Sequence, residues 1–185
     1  EAVAAYARAK KLPFPYRVHE PSTPEDIATL NQAMARFGYP PCPDSRPASL
    51  NALLALAQGK PEEPLVQFAV VRSMQKARYS EQPKGHFALA LRDYCHFTSP
   101  IRRYPDLLAH RLLKLALADD FSQRERYKKN MPEWTDFASQ REEIAANAER
   151  RATAMLCALW LAARVGEAFD GVVSRVNAHG ARILL

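Results

Sequence analysis

The 185 residues are 48% hydrophobic and carry a net charge of +6, a balance that excludes a disordered chain and suits one domain, or one domain plus part of another. Three widely spaced cysteines, Cys42, Cys95 and Cys157, form no Cys-x-x-Cys pair, which argues against a disulfide framework or structural zinc and for a reduced, cytoplasmic setting. No run of eighteen apolar residues occurs, so no helical membrane span is expected.

In chain order, EAVAAYARAKK (1–11) reads as an amphipathic helix entered without a cap, as expected of a chain cut from something longer. PFPYRVHE (13–20) is Pro-bounded and reads as extended. Thr23-Pro24-Glu25-Asp26 combines a capping hydroxyl, a Pro at the first helical position and acids in the first turn, which predicts a helix to about Phe37 ended by Gly38. The four prolines of 39–47 predict a loop. SLNALLALAQ predicts a second helix ending at Gly59, and Pro61-Glu62-Glu63-Pro64 opens a third reaching about Ala77. Residues 78–98 read as loop with a short extended piece, FALAL. Ser99-Pro100 and Tyr104-Pro105-Asp106 are two closely spaced helix starts, the second leading into DLLAHRLLKLALA. The polar stretch 119–136 contains Pro132 and predicts a helix break, followed by a charged helix over 137–163 that Gly166 stops. Residues 166–185 change to a strand, turn, strand pattern. The expected fold class is therefore α+β, a mostly helical unit over 1–165 and the start of an incomplete β domain over 166–185.

The charge is concentrated. Residues 72–111 hold eight Lys/Arg against three Asp/Glu, whereas residues 1–71 hold seven of each. A local excess of this kind suits a polyanion such as nucleic acid, or else a solvated basic surface. Within the block, Ser99-Pro100 predicts a helical turn with free backbone N–H groups, an anion-attracting terminus. Thr98 and Ser99 add hydroxyls. Arg102 and Arg103 add planar forks suited to phosphate. His110, Arg111 and Lys114 share a side of the next helix opposite Leu107, Leu108, Leu112 and Leu115, and Arg72, Lys76, Arg78, Lys84 and His86 are candidates to line the same groove. A structural reading stands beside this one. Arg102, Arg103 or Arg111 can pair with Asp106, and His110 can be a core histidine.

HFTSPIRRYPDLLAHR (96–111) closely resembles the signature of the RNase II/RNase R (RNB-domain) exoribonuclease family, and is nearer to the RNase R type. ARYSEQPKGHFALAL, the segment containing PFPYRVHE, and GEAFDGVVSRVNAHGARILL resemble, in the right order, the family's preceding segments and the opening of its OB-type RNA-binding barrel. The resemblance implies the carboxyl-terminal half of an RNB-type catalytic domain, running into that barrel. It implies hydrolytic, processive 3′→5′ degradation of single-stranded RNA to nucleotides, with two Mg²⁺ ions held by aspartates that lie upstream of this chain. It assigns the catalytic arginine to Arg102. The candidate RNA or phosphate contacts around it are Thr98, Ser99, Arg103, Tyr104, His110, Arg111, His86, Lys84, Arg78 and Arg72. No metal ligand carries over. Asp119 and Asp120 follow the signature at a polar helix end. Two departures from the family are a short run from Arg151 to Gly166, and Ala178, His179 and Arg182 where the barrel opening usually has aromatic or aliphatic residues. A monomer is expected. This chain alone is expected to be inactive. The alternatives are a non-catalytic RNA-binding module or degenerate homologue that lacks the metal site, and a helical scaffold that leaves the basic block unexplained.

Overall fold

The computed structural model describes residues 1–178 and 180–184. Its elements in chain order are helices α1 (Ala2–Ala9), α2 (Pro24–Ala35), α3 (Pro47–Ala57), α4 (Glu63–Ser73), α5 (Tyr104–Leu117) and α6 (Arg124–Ala162), and strands β1 (Tyr16–Val18), β2 (Arg78–Ser80), β3 (Val172–Asn177) and β4 (Gly180–Leu184). They divide into two compact units, 1–142 and 143–185.

The first unit holds two cores. The first is built by α1, β1, α5 and the amino-terminal part of α6, around Phe14, Tyr16, Val18, Leu108, Leu112 and Met131. The second is the three-helix cluster of α2, α3 and α4, around Ile27, Leu30, Met34, Leu50, Val66 and Val70. Each fully buried side chain of this size contributes about 1.5–3 kcal/mol of transfer free energy. The α2 start is as expected. Thr23 Oγ1 accepts from the Asp26 N–H, and Asp26 accepts from the Thr23 N–H, closing a capping box.

Strands β1 and β2 pair antiparallel, with Tyr16 opposite Ser80, Arg17 opposite Tyr79 and Val18 opposite Arg78. This joins the PFPYRVHE segment to residues sixty or more positions away. The extended piece within 78–98 is therefore Arg78–Ser80. FALAL instead contains a 3-10 turn, Phe87–Leu89, whose end is set by Ala90 at φ 53°. The third helix stops at Ser73, four residues before the expected Ala77.

The expected helix break within 119–136 is present but ends before Arg124, so the following helix starts well ahead of the expected 137. α5 ends at Leu117, and α6 begins at Arg124 and continues through Pro132 without a break. A Pro inside a helix removes one backbone bond and costs about 3 kcal/mol. Burial of Tyr127, Met131, Thr135 and Ala138 along one face of α6 offsets that loss. Thr135 Oγ1 lies 2.9 Å from the Met131 carbonyl and 3.0 Å from the Pro132 carbonyl, so its hydroxyl serves the backbone just where the proline sits.

The second unit contains the remainder of α6 and a hairpin of β3 and β4, in antiparallel register from Val172–Leu184 to Asn177–Gly180, with one irregularity between Val173 and Arg175. The expected strand, turn, strand pattern is present. His179 and the side chain of Arg182 lie outside the described residues.

Candidate functional site

The segment 94–111 links β1, β2 and α5. Its approach is tied to β1 by the Arg17 N–H, which donates to the Tyr94 carbonyl at 2.8 Å. From there a row of rings runs through the first unit. His19 stacks on His86 at 5.2 Å between centroids, His86 meets Tyr94 edge-on at 5.3 Å, and Tyr94 meets His96 edge-on at 5.9 Å. His96 meets Tyr79, with its Nδ1 2.9 Å from the Tyr79 hydroxyl. The Arg17 guanidinium covers the Tyr79 ring at 4.7 Å and pairs with Glu142 of α6. The Tyr79 N–H donates to Ser139 Oγ at 2.9 Å. Burial pushes the Tyr79 phenol up to about 12, and burial together with the cations Arg103 and Arg17 pushes the His96 imidazole down to about 4. Both groups are therefore neutral near pH 7, and a phenol donating to Nδ1 selects the Nε2–H tautomer of His96.

The signature turn follows this row. Ser99-Pro100 opens a single turn and no helix. The Arg102 and Arg103 N–H groups both donate to the Ser99 carbonyl, at 3.2 and 2.9 Å. The Ser99 N–H is not free either, because it donates to Asp106 Oδ2 at 2.8 Å. Asp106 is completely buried and also accepts from Arg103 Nη2 at 2.8 Å and Nε at 3.1 Å. The Ser99, Arg102 and Arg103 N–H groups are thus spent on the turn itself.

This geometry separates the two adjacent arginines. Arg103 is the ion-pair partner of Asp106, with a further contact of 3.4 Å to Thr98 Oγ1. Arg102 is exposed and, among the described residues, its side chain has neither a hydrogen-bond nor an ion-pair partner. Beside it Ile101 is fully exposed, and Tyr104 presents about half of its surface, 46%. Thr98 is also exposed. The exposed Thr98, Arg102 and Tyr104 are therefore gathered on one short stretch that Asp106 holds rigid.

The other candidates are placed differently. His110 stacks on Phe97 at 4.0 Å, and its Nε2 lies 2.7 Å from the Phe97 carbonyl, so this nitrogen carries the proton and donates. Arg111 is exposed on α5. Arg78 and Lys84 converge on Glu20, at 2.8 and 3.0 Å, and hold its carboxyl below its ordinary range. His86 is buried in the ring row, and burial lowers its pKa. Arg72 is exposed in the last turn of α4, beside the second core. Sequence reasoning missed Arg17, His19, Tyr79 and Tyr94. Arg17, His19 and Tyr79 lie in the segments that carry the resemblance and Tyr94 lies between two of them, but only the β1–β2 pairing brings those segments together.

The residues do not fit a divalent-metal centre. Among the described residues no three His, Cys, Asp or Glu side chains come together as a metal-binding group. Asp106 is committed to Ser99 and Arg103, and Asp120 caps the Ser122 N–H at an exposed helix end.

The chain is 39% identical to ribonuclease R of Aquifex aeolicus over 182 residues, 97% of this chain and 26% of that protein. It is 40% identical to ribonuclease R of Thermotoga maritima over 190 residues, again 97% of this chain and 26% of that protein. The chain thus spans about a quarter of the length of these relatives. The structure superposes on Mycoplasma genitalium RNase R with TM-scores of 0.88 for the apo form and 0.87 for the complex with ribose-methylated single-stranded RNA. In both cases the identity is 29%, over 99% of this chain and 30% of that one. Yeast Ssd1, described as a pseudonuclease, shares the fold at a TM-score of 0.56 and 23% identity over 75% of this chain. The RNB domain model matches residues 1–119, the stretch that contains the ring row, the signature turn and α5, and the chain belongs to the RNB domain family.

Proposed function

We propose that this chain is part of a 3′→5′ exoribonuclease that hydrolyses single-stranded RNA to nucleotides, and that Arg102 is its contribution to the reacting phosphate. The observation that carries this reading is the division of labour between Arg102 and Arg103. A buried carboxylate fixes Arg103, and the turn so fixed leaves the Arg102 guanidinium exposed and unpaired among the described residues. A planar fork on a rigid turn is suited to a phosphate oxygen pair, and it costs little reorganisation when charge builds up. The RNA complexes of Mycoplasma genitalium RNase R support RNA as the polymer.

Mg²⁺ enters this reading only through carboxylates outside the chain, since the described residues form no such group. What this chain's residues do is bind and orient. Arg102 and Thr98 face the phosphate, Asp106 and Arg103 hold the turn, and the neutral His96–Tyr79 pair fixes the approach to it. The β3–β4 hairpin is the opening of an OB-type RNA-binding barrel in the same reading, and the protein works as a cytoplasmic monomer.

Because a chain of this fold is described as a pseudonuclease, the deciding experiment is activity of the full-length protein on 5′-labelled single-stranded RNA, with and without Mg²⁺. The expected result is Mg²⁺-dependent loss of the substrate from its 3′ end to a short end product. RNA that is bound but left intact would assign the protein to the non-catalytic alternative.

A further inference from the structure

A groove of about 500 Å³ runs between α5 and the beginning of α6, wholly within the first unit. It starts at Tyr104, two residues beyond Arg102, and extends along α5 to Leu115, a rise of about 16 Å at about 1.5 Å per residue. Three of its lining residues are the cations Arg111, Lys114 and Arg126, and none of its lining residues is acidic. All three are exposed, and among the described residues none has a hydrogen-bond or ion-pair partner for its side chain. The ring of Tyr104 is half exposed at one end, and Trp134, held edge-on by the buried Tyr127 at 5.6 Å, forms part of the wall.

Three uncompensated cations in a groove with aromatic walls have the composition of a single-stranded nucleic-acid site. Cations track phosphates, and a base stacks on an aromatic face whatever its identity. We propose that this groove is a second RNA subsite, in which Arg111, Lys114 and Arg126 hold phosphates of a single-stranded segment and Tyr104 stacks a base of the same strand. This rests on the reading of the protein as an RNA enzyme and extends it. The strand engaged at Arg102 continues along α5, so affinity depends on the length of the RNA.

The test uses the full-length protein and its Lys114→Gln/Arg126→Gln double variant, with a short oligoribonucleotide and a long single-stranded RNA, across a range of salt concentrations. The variant should bind the long RNA about ten-fold more weakly. The slope of log affinity against log salt should fall by roughly 1.4, two contacts at about 0.7 each on a single strand. Short-RNA affinity and the melting temperature should stay at wild-type values. In wild-type protein, 4-thiouridine placed in the interior of the long RNA should cross-link to Tyr104 or Trp134. Unchanged long-RNA affinity and slope, or an absence of cross-links in the groove, would overturn the subsite and leave the catalytic reading standing. Wild-type protein that binds neither RNA would overturn both.

Discussion

Asp106 and Ser99 are joined across the signature turn by a hydrogen bond of 2.8 Å from the Ser99 N–H to Oδ2 of a completely buried carboxylate. Seven residues apart in sequence, they close the turn that displays Arg102. The same Oδ2 takes both contacts from Arg103.

Asp106→Ala removes the acceptor of three bonds at once. Breaking a fully buried pair costs about 3–5 kcal/mol. The Arg103 side chain is 23% exposed and keeps some access to water. The expected loss of unfolding free energy is therefore nearer 2–3 kcal/mol, in the range for a buried group deprived of its partner. Denaturant unfolding of wild type and variant measures it. A loss under about 0.5 kcal/mol, ordinary for a surface substitution, would show that the turn is held by something else.

Arg102→Lys behaves in the opposite way. No structural partner is lost among the described residues, so the melting temperature should not move. Lysine keeps the charge without the two-point fork. Turnover of the full-length protein should fall about ten- to a thousand-fold, on the scale of removing one preorganised donor, while RNA affinity changes little. Single-turnover rates and melting curves on one preparation separate this from a structural role, and an unchanged rate would remove Arg102 from the reaction.

Two imidazoles of the row, His96 and His86, make stability depend on pH. His96 titrates near 4 in the folded chain, against an ordinary value of 6.5, because burial and then Arg103 and Arg17 disfavour its charged form. Above about pH 6.5 both folded and unfolded chains hold it neutral. Below that the unfolded chain takes up the proton first, so stability should fall steadily from about pH 6.5 towards 4. His86, also lowered, acts in the same direction. Unfolding free energy measured across this window should show the slope, and His96→Gln should flatten it. An equally steep slope in the variant would place its origin elsewhere.

The 185-residue chain by itself should bind single-stranded RNA without hydrolysing it. Phosphate contacts from Arg and Lys give affinity that falls with salt and does not distinguish bases. Poly(A) and poly(U) should therefore bind alike, and more weakly at each step of added salt. Mg²⁺-dependent release of nucleotides by this chain would contradict the absence of a carboxylate cluster among the described residues.

Local chemistry was legible in the residues alone. The capping box at Thr23 and Asp26, the Pro-led start of α5 at Tyr104 and the closing hairpin depend on neighbours within a few positions, and each formed where the pattern placed it. The family was legible for a similar reason, since a long contiguous motif leaves little to chance. What tertiary structure decided was how groups of the same type divide their roles. Arg102 and Arg103 are chemically identical neighbours, and only the burial of Asp106 beneath one of them separates a structural cation from an exposed one. Pro132 predicts a break by its own chemistry, yet α6 continues because burial of Met131 and Thr135 outweighs one lost backbone bond. Arg17 and Tyr79 lie sixty-two positions apart, and no local pattern joins them. The β1–β2 register does, stacking guanidinium on ring and placing both against the segment that leads to the signature turn.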